Sequence, residues 1–274
     1  MQKIHPDFNP IYSKDLIEQI CKKTLILLLI LSELSLSNII AQDSDSIKIK
    51  PVWHQRTAVQ VLLVPSVLMG IGVATMNNNG LYSSQDAYEC IQEKYPDFST
   101  NVDDYLMFVP AATVYGLNLA GVKGKNNFVD RSLIYSISLS LATLTSSAIK
   151  HTTGVLRPDG SDNLSFPSVH TTLAFVSATF LYEEYKDQSI WYGIAGYSVA
   201  TTTGVLRMLN NKHWMSDVFF GAGLGILTTK AVYLVYPQLK DMFGSINKKK
   251  NTNLTVIPSL YHDHYGIYLQ LRFN

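Results

Sequence analysis

The sequence predicts an all-α fold: a helical bundle of about six apolar helices, membrane-embedded, followed by a small C-terminal β-hairpin. Three observations carry this expectation. Six apolar segments, near 57–76, 104–122, 132–149, 170–185, 190–207 and 214–235, approach the ~20 residues needed to cross a ~30 Å hydrocarbon core. None shows the period-two alternation of a strand, and their Gly and Pro breaks fall between or near segment ends, as in helices. The last residues do alternate, with Ile267, Leu269, Leu271 and Phe273 against Tyr268, Gln270 and Arg272. That is the pattern of a half-buried strand, which can pair with a run around Val256 through a turn at His262–Gly266.

Composition narrows the classes. The chain has 274 residues, 47% of them apolar and only 16% charged, which argues against disorder. Its 22 basic and 21 acidic side chains leave a formal net charge of +1, so there is no electrostatic reason to expect a nucleic-acid partner. Residues 1–41 read as a signal peptide or N-terminal anchor: Lys22 and Lys23, an apolar run from Leu25 to Leu31, then Ala41 before the polar stretch 42–46. Cleavage there would remove Cys21 and leave Cys90 as a single thiol, with no disulfide and no Cys-based zinc site. An N-terminal helix and polar loop are expected over 42–103, a catalytic core over 104–240, and a polar linker with the hairpin over 241–274.

The individual segments are not uniformly apolar. Ser136, Ser138, Ser140, Thr143, Thr145, Ser146 and Ser147 lie in the third, where hydroxyls can bond across helices or back to their own carbonyls. If every segment crosses, loop 77–103, with five acids and one base, faces the side opposite Lys123, Lys125, Arg131 and Lys248–Lys250. Basic loops stay cytoplasmic, so loop 77–103 should face outward. A cleaved signal would instead place residue 42 outside and reverse the assignment. The two rules give opposite orientations.

Three polar clusters interrupt the apolar background at helix ends: Lys150 to Arg157-Pro158, Pro167-Ser168-Val169-His170, and Arg207 to His213 and Asp217. Gathering three cations, two histidines, a serine and an aspartate against apolar helices is costly unless an anion joins them. Phosphate fits. Arginine supplies planar forks of donors, lysine a compact charge, and Ser168 with the backbone N–H groups that open the 170–185 helix supplies further donors. His213 and Asp217, four residues apart, would share one helix face. A carboxylate on one ring nitrogen fixes the tautomer and frees the other nitrogen's lone pair for attack, while His170 is available to protonate a leaving oxygen. Asp159 and Asp162 read as residues of a solvated loop, and the His262-x-His264 pair as a solvated turn rather than a metal site.

In this order and spacing the clusters resemble the type 2 phosphatidic acid phosphatase (PAP2) family, which shares its core with the vanadium haloperoxidases and bacterial class A acid phosphatases. The resemblance spans about 104–237. The first motif is complete from Lys150 through Arg157-Pro158. In the second, Val169 stands where the family has Gly, which restricts φ and narrows the entrance. In the third, Leu206 replaces a Ser while Arg207, His213 and Asp217 keep their spacing. The resemblance implies that His213 forms a phosphohistidine, that Asp217 supports it, and that His170 is the acid that later activates water. It implies that Lys150, Arg157, Ser168, Val169 and Arg207 hold phosphate, and that neither metal nor cofactor takes part.

The activity implied by the resemblance is that of a hydrolase acting on a phosphorylated lipid in a bacterial-type cell envelope, at the membrane with its active site facing the periplasm. The candidate substrates are lipid A, undecaprenyl pyrophosphate or a phosphatidyl phosphate. A soluble periplasmic acid phosphatase of broad specificity and a non-catalytic envelope protein on the same fold are the alternatives. A haloperoxidase is a third chemistry on this scaffold.

Overall fold

The computed structural model describes residues 57–76, 82–249, 252–261 and 264–273, with side chains placed over 61–76 and 82–241. The proposed signal or anchor at 1–41, Cys21 and His262 lie outside the described residues. Among those with placed side chains the fold is helical throughout. Eight helices are arranged in chain order: α1 (Thr57–Ala74), α2 (Ser84–Lys94), α3 (Val102–Leu106), α4 (Val109–Leu119), α5 (Phe128–Thr153), α6 (Val169–Tyr185), α7 (Ile190–Leu209) and α8 (Met215–Lys249). Past them the backbone forms β1 (Thr252–Tyr261) and β2 (His264–Phe273), paired antiparallel from Thr252 opposite Phe273 to Tyr261 opposite His264. The chain divides into two compact units, one ending at Ala231 and the other running from Val232.

Two departures raise the helix count above the expected six. The segment 104–122 is two helices, because the chain turns at Met107–Phe108 and restarts with Pro110 in the first turn of α4, where a missing N–H costs nothing. α2 lies in the polar loop expected at 77–103. It is held by a capping box in which Ser83 accepts from Asp86 N–H while the Asp86 carboxylate accepts from Ser83 N–H at 2.7 Å. The Ser84 hydroxyl then accepts from Ser216 N–H at 2.9 Å, which fastens α2 to the start of α8. Cys90 on α2 is disulfide-bonded, a correction to the expectation of a lone thiol.

α6 forms the centre of the bundle. From Ala174 to Leu181 every residue on it is buried, including Phe175, Val176 and Phe180. α8 crosses it closely at Gly221, where a Cβ would come within 2.8 Å of Ser168 O and 3.0 Å of Thr172 Oγ1. Only a residue without a side chain permits that approach, and it carries the start of α8 up against the start of α6.

Among the described residues two helices are long and apolar enough to cross a membrane, Phe128–Thr153 and Met215–Asp241; α1 is apolar but shorter. α5 exposes Val129, Leu133, Ile137, Leu141 and Leu144 at steps of four, four, four and three. That spacing draws one continuous apolar stripe along the helix.

Candidate active site

α5 ends on Gly154, whose φ of 58° suits the left-handed cap that a side chain would disfavour. This stop puts Lys150 in the last turn, and its ammonium donates to the carbonyls of Leu164 and, at 3.1 Å, Ser165. Ser165 N–H donates back to Val155 O at 2.9 Å. The segment between α5 and α6 is therefore folded over the end of α5 rather than left loose.

α6 begins at Val169 with Ser168 as its N-cap. The fully buried Ser168 hydroxyl oxygen accepts from Thr171 N–H at 3.4 Å and from Thr171 Oγ1 at 2.9 Å, leaving its own hydroxyl proton to donate elsewhere. The first helical bond runs from Thr172 N to Ser168 O, so the N–H groups of Val169 and His170 precede the hydrogen-bonded ladder, the position from which a helix start can donate to an anion. Val169 is the first residue of the helix, a conformation open to any L-residue, so the backbone there tolerates its side chain.

His213 does not share a helix face with Asp217 as the four-residue spacing suggested. It stands in the turn before α8, and Asp217 lies in the first turn of that helix. The pair still meets, with His213 Nδ1 3.2 Å from Asp217 Oδ2. The same oxygen accepts from Ser165 Oγ at 2.5 Å and from Trp214 N–H at 2.9 Å. A carboxylate only accepts, so Nδ1 carries the proton and Nε2 keeps its lone pair. Ser168 N–H donates to Asp217 O at 3.1 Å, and this bond ties the second and third motifs together through the backbone.

Burial holds His213 neutral. Desolvation, opposed by Asp217 and aided by the positive charges of Lys150 and Arg207, pushes its pKa down to about 4. Neutral His213 adds stability above pH 6.5 that fades as pH falls toward 4, because the unfolded chain binds the proton first. Activity that needs the free imidazole is expected to keep its acid limb in kcat/KM near pH 4, against ~6.5 for an ordinary histidine. A pH–rate profile of the purified protein checks this.

The cations converge with partners of their own. Arg207, at the end of α7, donates through Nη1 to the buried Asp103 at 2.6 Å, while its Nε is buried without a protein partner. Arg157 donates through Nε to Asp162 at 2.8 Å and through Nη1 to Lys212 O at 3.3 Å, next to His213. Lys150 stands within electrostatic reach of Arg157, Asp217 and Arg207. His170 Nε2 lies 2.9 Å from Asp104 Oδ1, and Arg207 is close enough to oppose its protonation.

Asp159 and Asp162 lie exposed in the loop, as expected, and each pairs with a cation there. Asp162 is held below the usual carboxylate range by the hydrogen bond from Arg157. Burial works against the ionisation of Asp159, but hydrogen bonds from Lys212, at 2.7 Å, and Ser161 take its pKa to about 2. Sequence reasoning missed Ser165, Asp103, Asp104 and Asn210. Asp103 and Asp104 carried a readable signal, two acids opening an apolar segment; Ser165 carried none.

The PAP2 superfamily model matches residues 131–241, which hold all three motifs. Over those residues the chain is similar to the PAP2 superfamily. The lipid A 1-phosphatase of Porphyromonas gingivalis is 39% identical to this chain over 140 residues, covering 50% of this chain and 31% of that relative. The chain thus spans less than a third of the curated relative's length. Among solved structures, LpxE of Aquifex aeolicus aligns at 18% identity and TM-score 0.41, over 53% of this chain and 93% of its own. The first transmembrane PAP2-type phosphatidylglycerolphosphate phosphatase from Bacillus subtilis aligns at 22% identity and TM-score 0.45, over 67% and 97%.

Proposed function

We propose that this protein is a lipid phosphatase that works through a phosphohistidine intermediate, without a metal, on a phosphorylated envelope lipid. The single observation carrying this reading is the His213–Asp217 pair: a buried, neutral imidazole whose Nδ1 is held by a carboxylate with three further hydrogen-bond donors, among cations. In the first step His213 Nε2 attacks phosphorus as the P–O bond to the leaving group breaks, and His170 gives that oxygen a proton. In the second, His170 takes a proton from water, the water oxygen bonds phosphorus, and the P–N bond breaks to release phosphate and restore His213. Lys150, Arg157, Arg207, the Ser168 hydroxyl and the N–H groups of Val169 and His170 are the donors assigned to the phosphoryl oxygens.

The membrane reading is supported by the two long apolar helices and the apolar stripe of α5. The lipid class is read from the P. gingivalis relative and makes a lipid A phosphate the first substrate to try, ahead of phosphatidyl phosphates and undecaprenyl pyrophosphate. We place the active site on the periplasmic face.

The test is phosphate release from a panel of purified envelope lipids by the full-length protein in detergent, with a His213 variant as the blank. Activity is expected to persist undiminished in excess chelator, since cations of the chain carry the charge that a metal would otherwise neutralise. Loss of turnover on chelation, restored by a divalent ion, would overturn the metal-free mechanism. Turnover of water-soluble esters with none on any lipid would instead favour a broad acid phosphatase.

A further inference from the structure

We propose that Asp104 is the positioning residue of the proton-transfer histidine, holding His170 through Nε2 so that Nδ1 exchanges the proton with the leaving oxygen and then with water. The inference rests on the phosphatase reading of the same site.

The geometry begins with α3. Asn210 at the end of α7 clamps the start of this short helix: Thr100 N–H donates to Asn210 Oδ1 at 2.9 Å, and Asn210 Nδ2 donates to Thr100 O at 2.8 Å and Asp103 Oδ1 at 2.9 Å. The other Asp103 oxygen is taken by Arg207. Asp103 is thus occupied from two sides, which fixes the position of α3 against the end of α7 in this structure. Asp104, the next residue, is half exposed, and its Oδ1 lies 2.9 Å from His170 Nε2 and 3.9 Å from Arg207 Nη1.

The charged groups facing His170 are Asp103 and Asp104 from α3 and Arg207 from α7. Burial and Arg207 both disfavour its protonated form, which is the form that must donate. Asp104 works in the opposite direction and is the carboxylate in hydrogen-bond contact with the ring. Because a carboxylate only accepts, the contact pins the proton on Nε2 and leaves Nδ1 as the nitrogen that gains and loses the mobile proton.

The two histidines then divide the labour through their carboxylates. Asp217 is fully buried, shares its charge among four donors and supports a neutral nucleophile; Asp104 faces solvent and supports an acid. In the forward step Nδ1–H passes its proton to the leaving oxygen as P–O breaks and P–N forms. In the return step Nδ1 takes a proton from water as P–O forms and P–N breaks.

The experiment compares the full-length protein with Asp104→Asn and Asp104→Glu on two phosphate monoesters, one with a nitrophenol leaving group and one with an alkyl alcohol. A nitrophenolate departs with little help from an acid, whereas an alkoxide needs the proton. Asp104→Asn is expected to lose about 10²-fold in kcat on the alkyl ester and less than about tenfold on the aryl ester. The basic limb of its kcat/KM profile should move to lower pH, and Asp104→Glu should recover part of both. An equal loss on the two esters, or an unmoved basic limb, overturns the role of Asp104, since a structural defect would not sort substrates by leaving group. Absence of His213-dependent turnover in the unaltered protein overturns the phosphatase reading instead, and the assignment of Asp104 with it.

Discussion

Replacing His213 with alanine is expected to lower phosphate release by at least about 10³-fold on lipid and aryl phosphates alike, with the fold retained. The size comes from the chemistry: without Nε2 there is no protein atom to take the phosphoryl group, and the remaining cations can only assist direct attack by water. The retained fold comes from Asp217. Its carboxylate would lose one donor but keep Ser165 Oγ at 2.5 Å and Trp214 N–H at 2.9 Å, so the buried charge is not stranded. Phosphate release and thermal unfolding, measured on the same preparation, separate the two effects. Turnover near that of the unaltered protein would reject His213 as nucleophile. Both ester classes should suffer together, because each needs the same nucleophile whatever its leaving group; this distinguishes the variant from Asp104→Asn.

Much of the bundle was legible because its signals are local. Apolar runs of helical length marked α1 and α5 to α8, and each of the three motifs ends or begins a helix, where Gly154, Ser168 and the turn before Met215 stop or start the ladder. What escaped the sequence was pairing across distance. Arg207 and Asp103 are separated by 104 residues, Ser165 and Asp217 by 52, and no periodicity links either pair. Loop 77–103 was read by its charge, which hid the capping box that makes α2 a helix. The His213–Asp217 spacing pointed to the right contact through the wrong local structure, since the turn before α8 brings the two together as a helical repeat would have done.

Arg207→Ala shows how far binding and stability share one side chain. Its guanidinium faces Asp103, which is 1% exposed. Removing the cation leaves a buried carboxylate with only the Asn210 amide, and such a broken pair typically costs about 3–5 kcal/mol. Arg207→Ala is therefore expected to unfold at a clearly lower temperature in detergent and to lose phosphate release. Adding Asp103→Asn in the same chain removes the stranded charge and should restore most of the lost stability, a coupling of the sign that double-mutant cycles detect between contacting residues. Activity should not return with it if Arg207 holds phosphate as proposed, since its buried Nε, which has no protein partner, would be lost as a donor to a phosphoryl oxygen. A double variant that regains both stability and turnover would show that Arg207 serves the fold alone. Stability that stays low in the double variant would show that packing of the guanidinium, and not its charge, holds α3 against α7.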